Sequence, residues 1–225
     1  MPITRVYLVR HGETTAAAED RFAGSIDGEL SEHGRAQVDA LGHRLAAAPI
    51  THVYTSPMRR TMATAISIAA PHGLAPIEMS ALREIDHGHW EGRLREDVER
   101  AFPEEYAAWA ADPFRNAPEG GEPGVQVMAR ASTAVTRLIE RHVGETLVVV
   151  SHKATIRLLL CSWLGIDARG YRDRLDQSPA CLNALDFKDA EHARLLLFND
   201  VSHYLTCPLP EHSRLSPVWA HRELH

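Results

Sequence analysis

The chain has 225 residues, 44% of them hydrophobic, which is enough for one domain to bury a substantial core. Thirty acidic against 24 basic residues leave a formal net charge of -6, which disfavours a nonspecific nucleic-acid surface and makes any phosphate binding local. No apolar run approaches the roughly 18 residues of a membrane span, and Met1 to Arg10 lacks a basic segment followed by an apolar one, so the expectation is a soluble, cytoplasmic protein.

In chain order, strand-like runs fall at Arg5–Val9, His52–Thr55, Leu147–Val150, Cys181–Phe187 and Arg194–Phe198. Helical patterns lie between most of them. Ser31 reads as the N-cap of a helix through Ala46, and Ser56-Pro57 as N-cap and first residue of a helix to about Ala70. From Val125, the residues Met128, Ala129, Ser132, Val135, Leu138 and Ile139 form a helical stripe ending near Gly144. This alternation predicts an α/β fold with a largely parallel sheet and helices on both faces, in a single domain over 1–225. Residues 88–124, with Trp90, Trp109 and a Pro- and Gly-rich turn, read as a helical insertion over the sheet, and 206–225 as an extended tail.

Cys161, Cys181 and Cys207 have no CxxC spacing, and no HExxH occurs among the 14 histidines, so neither a disulfide framework nor a metal site is expected. The chemistry gathers at three strand ends. Val9 runs into Arg10-His11-Gly12, Thr55 into Ser56 and on to Arg60, and Val150 into Ser151-His152. In a parallel sheet these ends lie side by side, where guanidinium groups can grip a phosphoryl dianion and imidazoles can share the grip.

Taken in order, Arg10-His11-Gly12-Glu13-Thr14, Ser56 to Ala65, Leu82-Arg83-Glu84 with Gly88-His89-Trp90-Glu91-Gly92, and Val150-Ser151-His152 resemble the histidine phosphatase superfamily, in its phosphoglycerate mutase-like branch. The resemblance covers roughly residues 3 to 160. It implies a three-layer α/β/α sandwich. It makes His11 the phosphoryl acceptor, Arg10, Arg60 and His152 the phosphate clamp, and Glu84 the proton donor, with Gly12, Thr14, Ala23 and Gly24 as expected substrate contacts; Lys153, a departure from the family, is a further candidate contact. No cofactor and no metal are implied. The implied partner is a small phosphorylated metabolite, with neither nucleic acid nor membrane, and a homodimer is left open. The residue chemistry agrees: a histidine attacks phosphorus only when neutral, and flanking Arg10 and Arg60 would oppose the protonation of His11. Glu84 could instead be a helix-end charge or a surface ion pair. Asp86, Glu91 and Glu13 are weaker acids by placement, and His87 and His89 read as wall residues.

Three departures matter. Ala17 stands where many relatives carry an asparagine. Lys153 follows His152 in place of glycine, either holding a further anionic group or standing solvated at a helix start. Ile85 follows Glu84 where the mutases have an arginine for the substrate's second charge. Its absence favours hydrolysis over phosphoglycerate mutase-type transfer, and the intact clamp argues against a catalytically silent phosphate-binding module.

Overall fold

A computed structural model describes residues 2–15 and 21–205; Ala17, Cys207 and the expected tail at 206–225 lie outside them. Strands β1 (Thr4–Arg10), β2 (His52–Thr55), β3 (Ile77–Glu78), β4 (Thr146–Ser151), β5 (Leu182–Phe187) and β6 (Ala193–Asp200) form one sheet in the order β3-β2-β4-β1-β5-β6. β1 pairs with β4, and β2 with β4 and β3, in parallel, whereas β5 is antiparallel to both β1 and β6. The sheet is thus largely parallel, as expected, with β5 its one opposed strand. Its link to β6 is a hairpin closed by Lys188 N–H donating to His192 O, and so short a connection joins only antiparallel strands. β3 escapes the sequence pattern because both of its residues are exposed.

Alternation along the strands builds the layers. Val9, Val53, Val148 and Val150 pack on one face against Leu41 and Leu45 of α1 (Glu32–Leu45) and Ala65 and Ile68 of α2 (Arg59–Ala69). Val6, Leu8, Leu147 and Val149 face the other way, onto α5 (Gly124–Arg141) and α6 (Lys153–Leu164). Fully burying one such aliphatic side chain contributes about 1.5–3 kcal/mol. The result is a three-layer α/β/α sandwich.

Two helix expectations shift. α1 begins where Ser31 accepts from Gly34 N–H, as its sequence indicates. α2, however, starts at Arg59 with Met58 as its N-cap residue, because Ser56 still belongs to the sheet end: its N–H donates to Val150 O and its hydroxyl meets His152. In α5 the buried stripe is Val127, Ala131, Val135, Leu138 and Ile139, leaving Val125 and Ala129 exposed. The insertion carries α3 (Arg95–Ala101) and α4 (Pro103–Ala111), and buries Trp90, Tyr106 and Trp109 around Phe22. Cys161 and Cys181 are free and buried. Among the described residues no helix is long and apolar enough to cross a membrane.

Candidate active site

Register places the site. Val9 lies opposite Val150 and Arg10 opposite Ser151, so His11 and His152 leave adjacent strands together, and Thr55 opposite Val150 brings Ser56 beside them. The two imidazole rings stand 5.2 Å apart in edge contact, both buried. Gly12 permits this close seat: a Cβ there would meet Gly34 O at 2.6 Å, and one on Gly34 would meet Glu13 O at 2.0 Å.

Each ring nitrogen has a defined job. His11 Nδ1 is 2.7 Å from Gly12 O, and a carbonyl only accepts, so Nδ1 carries the proton and Nε2 keeps its lone pair. Burial first, and the charges of Arg10 and Arg60 second, hold the His11 pKa well below its ordinary 6.5. The sequence points to the cations; desolvation is the larger cause. His152 is likewise held neutral, chiefly by burial and then by His11, Arg60 and Arg10. Its Nδ1 accepts from Arg60 Nε at 3.2 Å, which leaves Nε2–H to donate to Ser56 Oγ at 2.9 Å.

The arginines are anchored by backbone oxygens. Arg60 Nη1 and Nη2 donate to Ile26 O and Gly24 O at 2.6 and 2.9 Å. Arg10 Nη1 donates to Gln177 O at 2.6 Å. Gln177 is itself locked to Asn183 by reciprocal amide bonds, and Asn183 also donates to Leu8 O of β1. Sequence reasoning misses this pair, although a buried asparagine inside the apolar run of β5 is the available signal.

Glu84 sits across the start of α6. Its oxygens accept from Ala154 N–H and Thr155 N–H, both at 3.1 Å, from Thr155 Oγ at 3.2 Å and from Ile85 N–H at 3.0 Å. The carboxylate thus supplies the helix cap that His152 does not. The other acids are engaged elsewhere: Glu13 with Ser31, Asp86 with Gly88 N–H, and Glu91 with the amides of Gly24, Ser25 and His87. His89 pairs with Glu105, while His87 packs against Phe22 and is kept neutral by burial.

The small-residue contacts divide. Gly12 N–H donates to Thr64 Oγ, and Gly24 uses both backbone groups on Glu91 and Arg60. Thr14 bridges to Leu30, and Ala23 is half-buried. Lys153 is half-buried and paired: it meets Asp176 at 3.0 Å, which also takes Arg157 at 3.1 Å. Burial, with Arg10 and Arg157 nearby, pushes its pKa down to about 8.

Two neutral imidazoles, the buried Arg60 and the half-buried Arg10 come together where parallel strands end, an arrangement that can grip a phosphoryl group. A family model described as the histidine phosphatase superfamily (branch 1) matches residues 6–201, and the chain is an enzyme of that superfamily. Its relatives include phosphoserine phosphatase 1 of Hydrogenobacter thermophilus, 35% identical over 73% of this chain and 78% of that protein. Among solved structures, YhfR of Bacillus stearothermophilus superposes with a TM-score of 0.83 at 30% identity, covering 89% of this chain and 98% of its own. A mycobacterial glucosyl-3-phosphoglycerate phosphatase gives 0.80 at 28% identity, covering 88% and 99%.

Proposed function

We propose that this chain hydrolyses a small phosphomonoester through a phosphohistidine on His11, with no metal in the reaction. The carrying observation is the His11 tautomer: Nδ1–H is committed to Gly12 O, so a neutral Nε2 lone pair is free to attack. The Nε2–P bond forms as the P–O bond breaks, and the leaving oxygen takes a proton from Glu84. The same carboxylate then removes a proton from the water that attacks phosphorus and frees His11. Charge spread over the equatorial oxygens is met by Arg10 and Arg60, preorganised donors of the kind that make phosphoryl transfer fast, while His152, whose one N–H goes to Ser56 Oγ, orients Arg60 beside them.

Hydrolysis is favoured over mutase-type transfer by Ile85. It is 4% exposed and packs with Val127, Leu158 and Tyr171, so the position next to Glu84 faces the core and offers no charge to hold a dephosphorylated acid. The leaving group has a polar neighbourhood: a cavity of about 410 Å³ beside Glu84 is lined by Ser25, Ser80, Arg83, Asp86 and Arg130 among others. That lining suits a hydroxylated or charged metabolite, in keeping with the phosphorylated hydroxy acids and sugar derivatives in the relatives' names.

The test is an acid quench with labelled phosphomonoester. An acid-labile, base-stable phosphoenzyme in wild type and none in His11→Ala supports the reading. Equal labelling in the variant moves the nucleophile, loss of turnover on EDTA treatment with recovery on adding metal refutes the metal-free step, and no turnover of any phosphomonoester makes the chain a silent phosphate binder.

A further inference from the structure

At the opposite end of the sheet, where β2 and β4 begin, His52, His142 and Glu145 converge. Nδ1 of His52 and Nδ1 of His142 lie 3.1 and 3.2 Å from the same oxygen, Glu145 Oε2. All three candidate ligand atoms fall within 4.8 Å of one another, and among the described residues this is the cluster of metal-ligating side chains with such spacing. Around a zinc ion bound at about 2.1 Å in a tetrahedron, ligand atoms stand about 3.4 Å apart. The 3.1 and 3.2 Å separations come within a few tenths of an ångström of that, and the two imidazole rings stand 4.2 Å apart between centroids, with His52 half-exposed.

The surroundings orient the ligands. His142 is buried and its Nε2 is 2.8 Å from the Tyr54 hydroxyl, an arrangement that lets Nε2–H donate outward while Nδ1 presents a lone pair to the cluster. Thr51 Oγ donates to Glu145 Oε2 at 2.7 Å and fixes the carboxylate.

We propose that His52, His142 and Glu145 form a site for one divalent transition metal of the zinc class, with water completing the tetrahedron. The ion ties the end of α5 to the starts of β2 and β4, a brace far from the phosphoryl pocket and without part in the chemistry there. Sequence spacing conceals it, since the ligands come from three segments and only the sheet brings residue 52 to 142 and 145.

Metal-stripped enzyme titrated with zinc chloride tests this, read by melting temperature and by the visible absorption of a cobalt(II) substitute. Wild type is expected to take up one equivalent with an intense tetrahedral cobalt spectrum. Its melting temperature should rise by roughly 5–10 °C at a hundred times Kd. His52→Ala, which alters a half-exposed side chain and should melt within about 2 °C of wild type in EDTA, is expected to lose both signals and keep its turnover. Binding through the catalytic imidazoles is separated by His11→Ala, which should retain the cobalt spectrum. No shift in wild type, or the same shift and spectrum in His52→Ala, overturns the proposal.

Discussion

Arg60 donates its Nε–H to Nδ1 of His152, so the second imidazole of the pocket is oriented by the same guanidinium that is proposed to grip phosphate. With Nη1 and Nη2 spent on Ile26 O and Gly24 O, the planar fork holds three partners at once. A lysine keeps the charge and loses the fork. Arg60→Lys is expected to lower kcat about 10²- to 10³-fold and also to lower the melting temperature, because buried Gly24 O and His152 lose their donor. A loss below tenfold in steady-state turnover would mean that charge alone is what the position supplies.

The two buried imidazoles, His11 and His152, set an acid limit to stability. Both are held neutral in the fold with pKa values below the ordinary 6.5. The unfolded chain therefore binds more protons, and stability falls as pH drops below about 6.5, by up to about 1.4 kcal/mol per pH unit for each histidine. His11→Gln cannot be protonated and should melt higher than wild type at pH 5 but not at pH 8. Parallel melting curves for the two proteins across that range would show that His11 does not contribute.

Glu84→Gln has two separable consequences. Because the carboxylate caps α6, the variant should lose about 0.5–2 kcal/mol of stability whatever its chemistry. If Glu84 also protonates the leaving oxygen, an alkyl phosphate should slow far more than p-nitrophenyl phosphate, whose phenolate leaves unaided, and the aryl substrate should show a burst before slow turnover. A lowered melting temperature with equal losses on both substrates would leave only the cap.

Lys153 supplies a pH-dependent positive charge. Above its pKa of about 8 the ammonium is lost. If it contacts a second anionic group on the substrate, KM for a substrate such as phosphoserine should rise through that pH while kcat and the KM of p-nitrophenyl phosphate do not. At pH 7, Lys153→Met should raise the phosphoserine KM about tenfold, the scale of one charged hydrogen bond. A flat KM across pH 7–9 would confine Lys153 to its pair with Asp176.

The strand ends were legible because β-branched runs stop abruptly at Arg10-His11 and Ser151-His152, and the register then puts those residues side by side. The cap role of Glu84 was not, because it depends on the start of α6 packing over residue 84, a contact across 70 positions. Gln177, Asp176 and Arg157 were equally hidden, each being placed by a tertiary contact. The direction of β5 turned on its hairpin with β6, which apolar content alone does not encode.

The seat of His11 also bears on how the enzyme could be evolved toward other substrates. Gly12 lies against the Gly34 carbonyl and Gly34 against the Glu13 backbone, so a side chain at either would drive α1 away from the segment that follows β1. Neither position can be explored singly, and no second change at the partner compensates, since the obstruction is main chain on both sides. A randomised library is better spent on Ser25, Ser80 and Arg83, which line the cavity beside Glu84.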